Sequence, residues 1–156
     1  MPAEEEYNPG SLAERLNHSE ETLRLIIESA PAGIAVMDRE MRYIAWSRRW
    51  IKDYGLQGRT ILGKSHYELF PEIPERWKDI HRNCMNGVSD FCDEDRFERA
   101  DGSVQYLRWA LEPWRTSEGA VGGLIMFTED ITERLLIQEQ LLQSQKLGSL
   151  GTLATG

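Results

Sequence analysis

The sequence holds only two cysteines, Cys84 and Cys92, and three histidines. Two thiols without a histidine at ligand spacing exclude a four-ligand zinc site, and a reducing cytoplasm would keep both as free thiols. No stretch approaches the ~20 consecutive apolar residues of a membrane span. Clustered cations are missing as well. A formal net charge of -8 argues against nucleic acid or an anionic membrane surface as partner, since both need basic patches. The opening residues 1–6 are acidic rather than basic and apolar, so they read as no secretory signal. There is no internal repeat and no low-complexity tract. Catalytic signatures are absent too: no Gly-x-Ser-x-Gly, no phosphate-cradling glycine loop, no His-Glu-x-x-His. The acidic groups Glu72/Glu75 and Asp93/Glu94/Asp95 lie among polar neighbours and read as solvated surface, not as an acid–base pair. These absences predict a soluble, cytoplasmic chain without an active site of its own.

What is present is core material. Hydrophobic residues make up 40% of the 156 residues, with five tryptophans, enough for one domain plus terminal helical extensions. A flexible lead-in ends at Asn8-Pro9-Gly10. From Ser11 the pattern is helical, with Leu12, Leu16, Leu23 and Ile26/Ile27 at three-, four- and seven-residue spacings. Ala30-Pro31-Ala32-Gly33 stops that helix. Residues 34–37 and 42–46 are β-rich runs joined by a short polar turn, a hairpin pattern. Ser47 is placed to cap a short helix bearing Trp50, Ile51 and Tyr54, closed by Gly55. Residues 58–73 are broken into turns and one-turn helices by Gly58, Gly63 and Pro71. Pro74 suits the first turn of a longer helix to about Asn86.

The remainder is β-rich. Residues 92–99, 103–112 and 120–128 are three runs separated by Ala100-Asp101-Gly102 and Ser117-Glu118-Gly119. After Asp130 a long helix begins, with Ile131, Leu135, Gln138, Leu142 and Gln145 in heptad register and Ile137, Leu141 and Leu150 widening the apolar face. The order predicts an α+β fold: a five-stranded antiparallel sheet with helices inserted between strands two and three. The inserted helices should cover one face and the terminal helices part of the other.

Three groups of residues resemble the PAS (Per-Arnt-Sim) family of sensory domains. Ser29-Ala30-Pro31-Ala32-Gly33-Ile34 is similar to the entry into the first PAS strand. Arg99-Ala100-Asp101-Gly102-Ser103 with Trp109 resembles the turn and penultimate strand. Gly122-Gly123-Leu124-Ile125-Met126-Phe127 followed by Glu129-Asp130-Ile131-Thr132-Glu133-Arg134 resembles the last strand and its Asp-Ile-Thr exit. The end of the chain, Gln143-Ser144-Gln145-Lys146-Leu147-Gly148-Ser149-Leu150-Gly151-Thr152-Leu153-Ala154-Thr155-Gly156, resembles the opening of the dimerisation helix of sensor histidine kinases. In that family the phospho-accepting histidine follows a few residues later, beyond this chain, and no ATP-binding region is present. The resemblance therefore implies a non-catalytic sensing and dimerisation module that regulates a downstream histidine kinase in two-component signal transduction. It divides the chain into a lead-in and helix (1–21), the sensory domain (22–132), and a signalling helix entering a truncated dimerisation region (133–156).

The resemblance also directs attention to the space between sheet and inserted helices, where the family commonly holds ligands. Trp77, Ile80, His81, Cys84 and Val88 share one face of the longest inserted helix. From that face Trp77, His81 and Cys84, with Trp109 and Met126 on the sheet and Trp50 and Tyr54 on the first inserted helix, form the candidate pocket, its polarity supplied by His81 or Arg108. No cofactor is the leading reading. Haem would take His81 as its axial ligand, as in haem-binding members of the family. Flavin could stack on Trp50, Trp109 or Tyr54. A cysteinyl–flavin adduct is excluded, because Gly63-Lys64-Ser65-His66-Tyr67-Glu68-Leu69-Phe70 carries His66 where the photoreactive thiol belongs. An interior simply filled by these side chains, with the domain acting through protein contacts alone, is the third reading. Asp130, Ile131 and Thr132 are the expected coupling joint, since Asp130 and Thr132 can accept hydrogen bonds from the free N–H groups opening the last helix. The apolar stripes of both terminal helices call for a second copy of the chain.

Overall fold

In the computed structural model, which describes residues 10–155 and their side chains through residue 149, the chain begins with α1 (Leu12–Ser29). The lead-in before Gly10, the side chain of Leu150 and Gly156 lie outside the described residues. Ser11 caps α1 through a capping box, its side chain accepting from the Glu14 N–H while Glu14 reaches back to the Ser11 N–H. Then come β1 (Gly33–Asp38), β2 (Tyr43–Trp46), α2 (Arg48–Asp53), α3 (His66–Leu69) and α4 (Glu75–Met85). The chain closes with β3 (Asp90–Glu98), β4 (Val104–Arg115), β5 (Val121–Asp130) and α5 (Thr132–Thr155).

The strands form one antiparallel sheet in the order β2-β1-β5-β4-β3, so the first and last strands of the sequence meet at its centre. Alternation decides which side chains enter the core. On β4 these are Leu107, Trp109 and Leu111; on β5 they are Leu124, Met126 and Thr128. The inserted helices cover this face. Ser47, fully buried, fixes the first of them: its hydroxyl donates to the Ala32 carbonyl (2.8 Å) and accepts from the Ile34 N–H (2.9 Å) and the Trp50 N–H (3.2 Å). One hydroxyl thus ties the start of α2 to β1 and drives Trp50 into the core.

Two glycines allow close packing that the sequence alone did not announce. A Cβ on Gly122 would meet the Trp114 ring at 2.1 Å, and one on Gly123 would meet the Met37 carbonyl oxygen at 1.9 Å. Trp114 lies across β5 there and donates to the Met37 carbonyl at 2.9 Å.

Three expectations need correction. β4 runs on through Pro113 to Arg115, past the predicted end at Glu112. Proline is tolerated because pairing with β3 ends at Leu111, which leaves that side of Pro113 without a neighbouring strand. Val88 follows the end of α4 and is 55% exposed, so it is no part of that helix's inward face. The terminal helices cover less of the sheet than expected: α1 reaches chiefly the edge strand β2 with α2, and α5 reaches β4, which leaves the rest of the far face open. A row formed by Phe91, Ala110 and Phe127 opens outward there, with Phe91 70% and Phe127 37% exposed. Most apolar side chains of α1 and α5, among them Leu16, Leu23, Leu136 and Leu142, are likewise exposed; Ile27 is half-buried, and Ile131, at the foot of α5, is buried.

Candidate functional site

A cavity of about 40 Å3 lies between the core face of the sheet and the inserted helices. At ~10–15 Å3 per water that is room for a few waters, far below the ~300 Å3 and more of sites for drug-sized ligands. Six of the seven predicted pocket residues wall it: Trp50, Tyr54, Trp77, His81, Trp109 and Met126. Cys84 does not. It is fully buried one turn along α4, where burial pushes its thiol up to about 11. Arg108 is also absent from the cavity. It belongs to the outward set of β4 and lies within 3.7 Å of Asp93 and 3.6 Å of Glu129 on the far face.

The wall contains two histidines. His81, from α4, meets the Tyr67 hydroxyl through Nδ1 at 2.8 Å, and burial, aided by the Arg82 charge, lowers its pKa to about 4. His66, from α3, meets the Tyr43 hydroxyl through Nδ1 at 2.5 Å; burial, with His81 beside it, drives its pKa well below the usual range. The rings are 5.8 Å apart. Both are therefore neutral near pH 7. Sequence reasoning passed over His66 as a pocket residue because it sits in an irregular segment without periodicity.

Asp95 is the largest departure from expectation. Far from solvated, it is 9% exposed. Its Oδ2 accepts from the indole N–H groups of Trp77 and Trp109, each at 2.8 Å, and Arg76 binds both carboxylate oxygens at 2.7 and 3.1 Å. Burial alone would raise this carboxyl, but the hydrogen bonds from Arg76, Trp109 and Trp77 outweigh it and hold the pKa below the usual value. One carboxylate thus fastens α4 and β4 together around the cavity. A register irregularity in β3 between Cys92 and Asp95 shifts the alternation and turns Asp95 inward. Glu72, also expected at the surface, is mostly buried against Arg99 at 3.7 Å, whereas Glu75, Asp93 and Glu94 are exposed as expected.

The opposite part of the wall is polar and unsatisfied. Trp50 Nε1, Tyr54 Oη and Thr128 Oγ1 are the buried side-chain polar atoms without a hydrogen-bond partner among the described residues. The Tyr43 hydroxyl, which meets His66, also lies beside the Trp50 N–H and keeps a lone pair to accept from it. Tyr54 and Thr128 lie side by side, and burial raises the Tyr54 phenol well above its ordinary value although the Thr128 side chain works against it.

The joint expected at residues 130–132 is built as a cap. Asp130 Oδ1 accepts from the Thr132 N–H (3.0 Å) and hydroxyl (2.6 Å), and Thr132 Oγ1 accepts from the Tyr106 N–H (2.9 Å). The Ile131 N–H donates to the Tyr106 carbonyl at 2.8 Å, and its side chain is buried. Gln105, which no motif singled out, extends this joint. Its Nε2 donates to Asp130 Oδ2 (2.9 Å) and to the Asp53 carbonyl (3.4 Å), next to Tyr54 of the cavity wall. Its Oε1 accepts from Arg99 at 2.9 Å, whose guanidinium lies 5.8 Å from the Tyr54 ring.

The space does not fit a cofactor of the kinds considered: a haem or flavin ring system far exceeds the cavity. No group of three His, Cys, Asp or Glu residues that could hold a metal occurs among the described residues. Nor is any described helix long and apolar enough to cross a membrane.

Comparison with known proteins places this geometry among relatives. A family model described as PAS fold matches residues 27–136. The chain is 29% identical over 139 residues to the virulence sensor protein BvgS of Bordetella bronchiseptica, which covers 83% of this chain and 11% of that protein. It is 23% identical over 154 residues to the signal transduction histidine-protein kinase AtoS of Escherichia coli, covering 94% of this chain and 25% of that protein. The chain thus spans a quarter or less of these relatives. Among solved structures, the PAS domain of Bordetella pertussis BvgS superposes with a TM-score of 0.57 at 22% identity, covering 82% of this chain and 98% of that one. An RNA-binding light-oxygen-voltage receptor gives 0.63 at 23% identity, covering 89% and 40%.

Proposed function

Because the chain belongs to the PAS fold family, we propose that it is a non-catalytic sensing and dimerisation module that regulates a downstream histidine kinase. In this reading the cavity is the input. Residues 22–132 form the sensory domain, and residues 133–156 form the output helix leading into the kinase dimerisation region. The curated relatives are sensor kinases, which supports the kinase as the regulated partner.

The observation that carries the reading is the Gln105 bridge. Strand β5 contributes Met126 and Thr128 to the cavity and ends in Asp130, the cap of α5. Gln105 joins that same Asp130 to the backbone beside Tyr54. A displacement of the cavity wall therefore has a hydrogen-bonded route to the base of α5. The exposed leucines of α1 and α5 supply the surface for a second copy.

Amide hydrogen exchange tests both parts. Gln105→Leu should make the first-turn amides of α5 exchange roughly tenfold faster, while the β5 ladder keeps its protection. Amides of residues 136–147 should be protected in a concentration-dependent way, as expected for a helix covered by a second copy. Unchanged first-turn exchange in the variant would contradict the coupling, and protection independent of concentration would contradict the dimer.

A further inference from the structure

The net charge of -8 conceals two sheet edges of opposite sign. Residues 42–64, which run through the edge strand β2, α2 and the segment after it, carry six cations and one acid. Arg42, Arg48, Lys52, Arg59 and Lys64 are all exposed, and none forms an ion pair among the described residues. The clustered cations not read from the sequence are gathered here by the fold. Arg48 and Lys52 are one turn apart on α2, Arg42 bridges to Ser65 beside Lys64, and Lys64 and Arg59 share a surface hollow. Arg48 also lines an open groove of about 800 Å3, ample for a phenyl ring, between α1 and the β2–α2 edge. Its apolar part is Ile44, Ile51 and Leu62, with Ile44 45% and Leu62 64% exposed.

The other edge of the sheet, β3, is the reverse. Residues 90–95 hold four acids and no cation. Asp95 is turned inward onto Arg76, and Asp93 lies 3.7 Å from Arg108. Asp90 and Glu94, with Glu112 of the neighbouring β4, are exposed and form no ion pair among the described residues. Phe91 stands among them, 70% exposed.

We infer that the Phe91 edge of one copy docks into the groove of a second copy, its ring against Ile44, Ile51 and Leu62 and its acids facing Arg48 and Lys52. Charge selects this pairing. Two β2 edges together would set cation against cation, and two β3 edges acid against acid. Head-to-tail placement matches opposite signs and covers both the ring and the groove. Glu20 and Glu28 lie on the α1 side of the groove, so the incoming acids take the α2 side. A contact of this kind leaves a free groove at one end and a free Phe91 at the other, so copies add in rows instead of closing as a pair. It is separate from the helix pairing proposed above and needs no ligand.

The test breaks one edge at a time. Phe91→Ser keeps the groove, whereas Arg48→Glu with Lys52→Glu keeps Phe91 and reverses the charge beside the groove. All three side chains are exposed, so both variants should fold. Nitrogen-labelled Phe91→Ser is titrated at low salt with the unlabelled double variant, and its backbone amides at Ile44, Ile51 and Leu62 should shift. Unlabelled Phe91→Ser as the titrant should leave them in place. Raising the salt to about 0.5 M should weaken the mixed contact several-fold. Pairing through α1 and α5 is common to both variants and would move the amides equally in the two titrations. Equal shifts would therefore assign the groove to a helix of the second copy and overturn the inference. An unmoved groove in the mixed titration, or a contact indifferent to salt, would overturn it too. Neither result bears on the sensory reading, which is tested at α5.

Discussion

Asp95→Ala will lower the stability of the chain by about 3 kcal/mol, because it strands two indole donors inside the protein at once. Trp77 and Trp109 each give their N–H to the same oxygen of Asp95, and both side chains wall the cavity. Removing the acceptor leaves those donors without a partner, the situation that makes loss of one member of a buried polar network expensive. Arg76 matters less, since its side chain is half exposed and can return to water. The contrast with the tryptophans sharpens the test. Trp109→Phe removes one donor but leaves Asp95 with Arg76 and Trp77, so its hydrogen-bond loss should be nearer 1 kcal/mol, apart from the packing change. Urea titration gives both values. Because the native pKa of Asp95 lies below its ordinary value, the carboxylate stabilises the fold above about pH 4 and loses that contribution as pH falls through the lower native pKa. Asp95→Ala should remove that acid arm.

Mild acid will have an effect of similar size for a different reason. His81 has a native pKa of about 4, and His66 is also held well below the ordinary value of 6.5. Between those limits the unfolded chain takes up protons that the native chain refuses, so stability falls with pH. For His81 alone the loss is roughly 2 kcal/mol on going from pH 7.5 to 5, with His66 adding in the same direction. The groups facing these rings are Tyr67 and Arg82 around His81, and Tyr43 around His66, with each histidine beside the other. None is an acid that would hold the imidazolium. Urea midpoints at pH 7.5 and 5 measure the loss, and His81→Gln should roughly halve it. A midpoint that stays level between these values would show that the rings are free to charge.

How much of this was legible beforehand depended on whether the signal was local. Ala30-Pro31-Ala32-Gly33, Ser47 and Asp101-Gly102 act within a few residues, and each appears as read: a helix stop, an N-cap and a hairpin turn with Gly102 at φ 84°. His81 and Trp77 were found through helical spacing, which needs only the period of α4. What was missed depends on distant pairing. Nothing near Thr128 reveals that Gly33 lies opposite it in the register of β1 and β5. The irregularity that turns Asp95 inward is equally silent, because strict alternation through three acidic residues reads as solvent-facing. Gln105 needed two partners far along the chain, Asp53 and Asp130. Arg108 is the instructive miss, since its place in the outward set of β4 was already visible in the alternation.

The most direct test of coupling between cavity and helix is nuclear magnetic resonance under xenon pressure. Xenon enters small apolar cavities without requiring a hydrogen bond, so it bypasses the question of ligand chemistry. Shifts should appear at the Met126 methyl and Leu107 on the wall, and also at the amides of residues 130–134. Gln105→Leu should abolish the second set while preserving the first. Cavity methyls that respond while residues 130–134 stay fixed would contradict the account, because the space would then be filled without any consequence for the helix it is held to control.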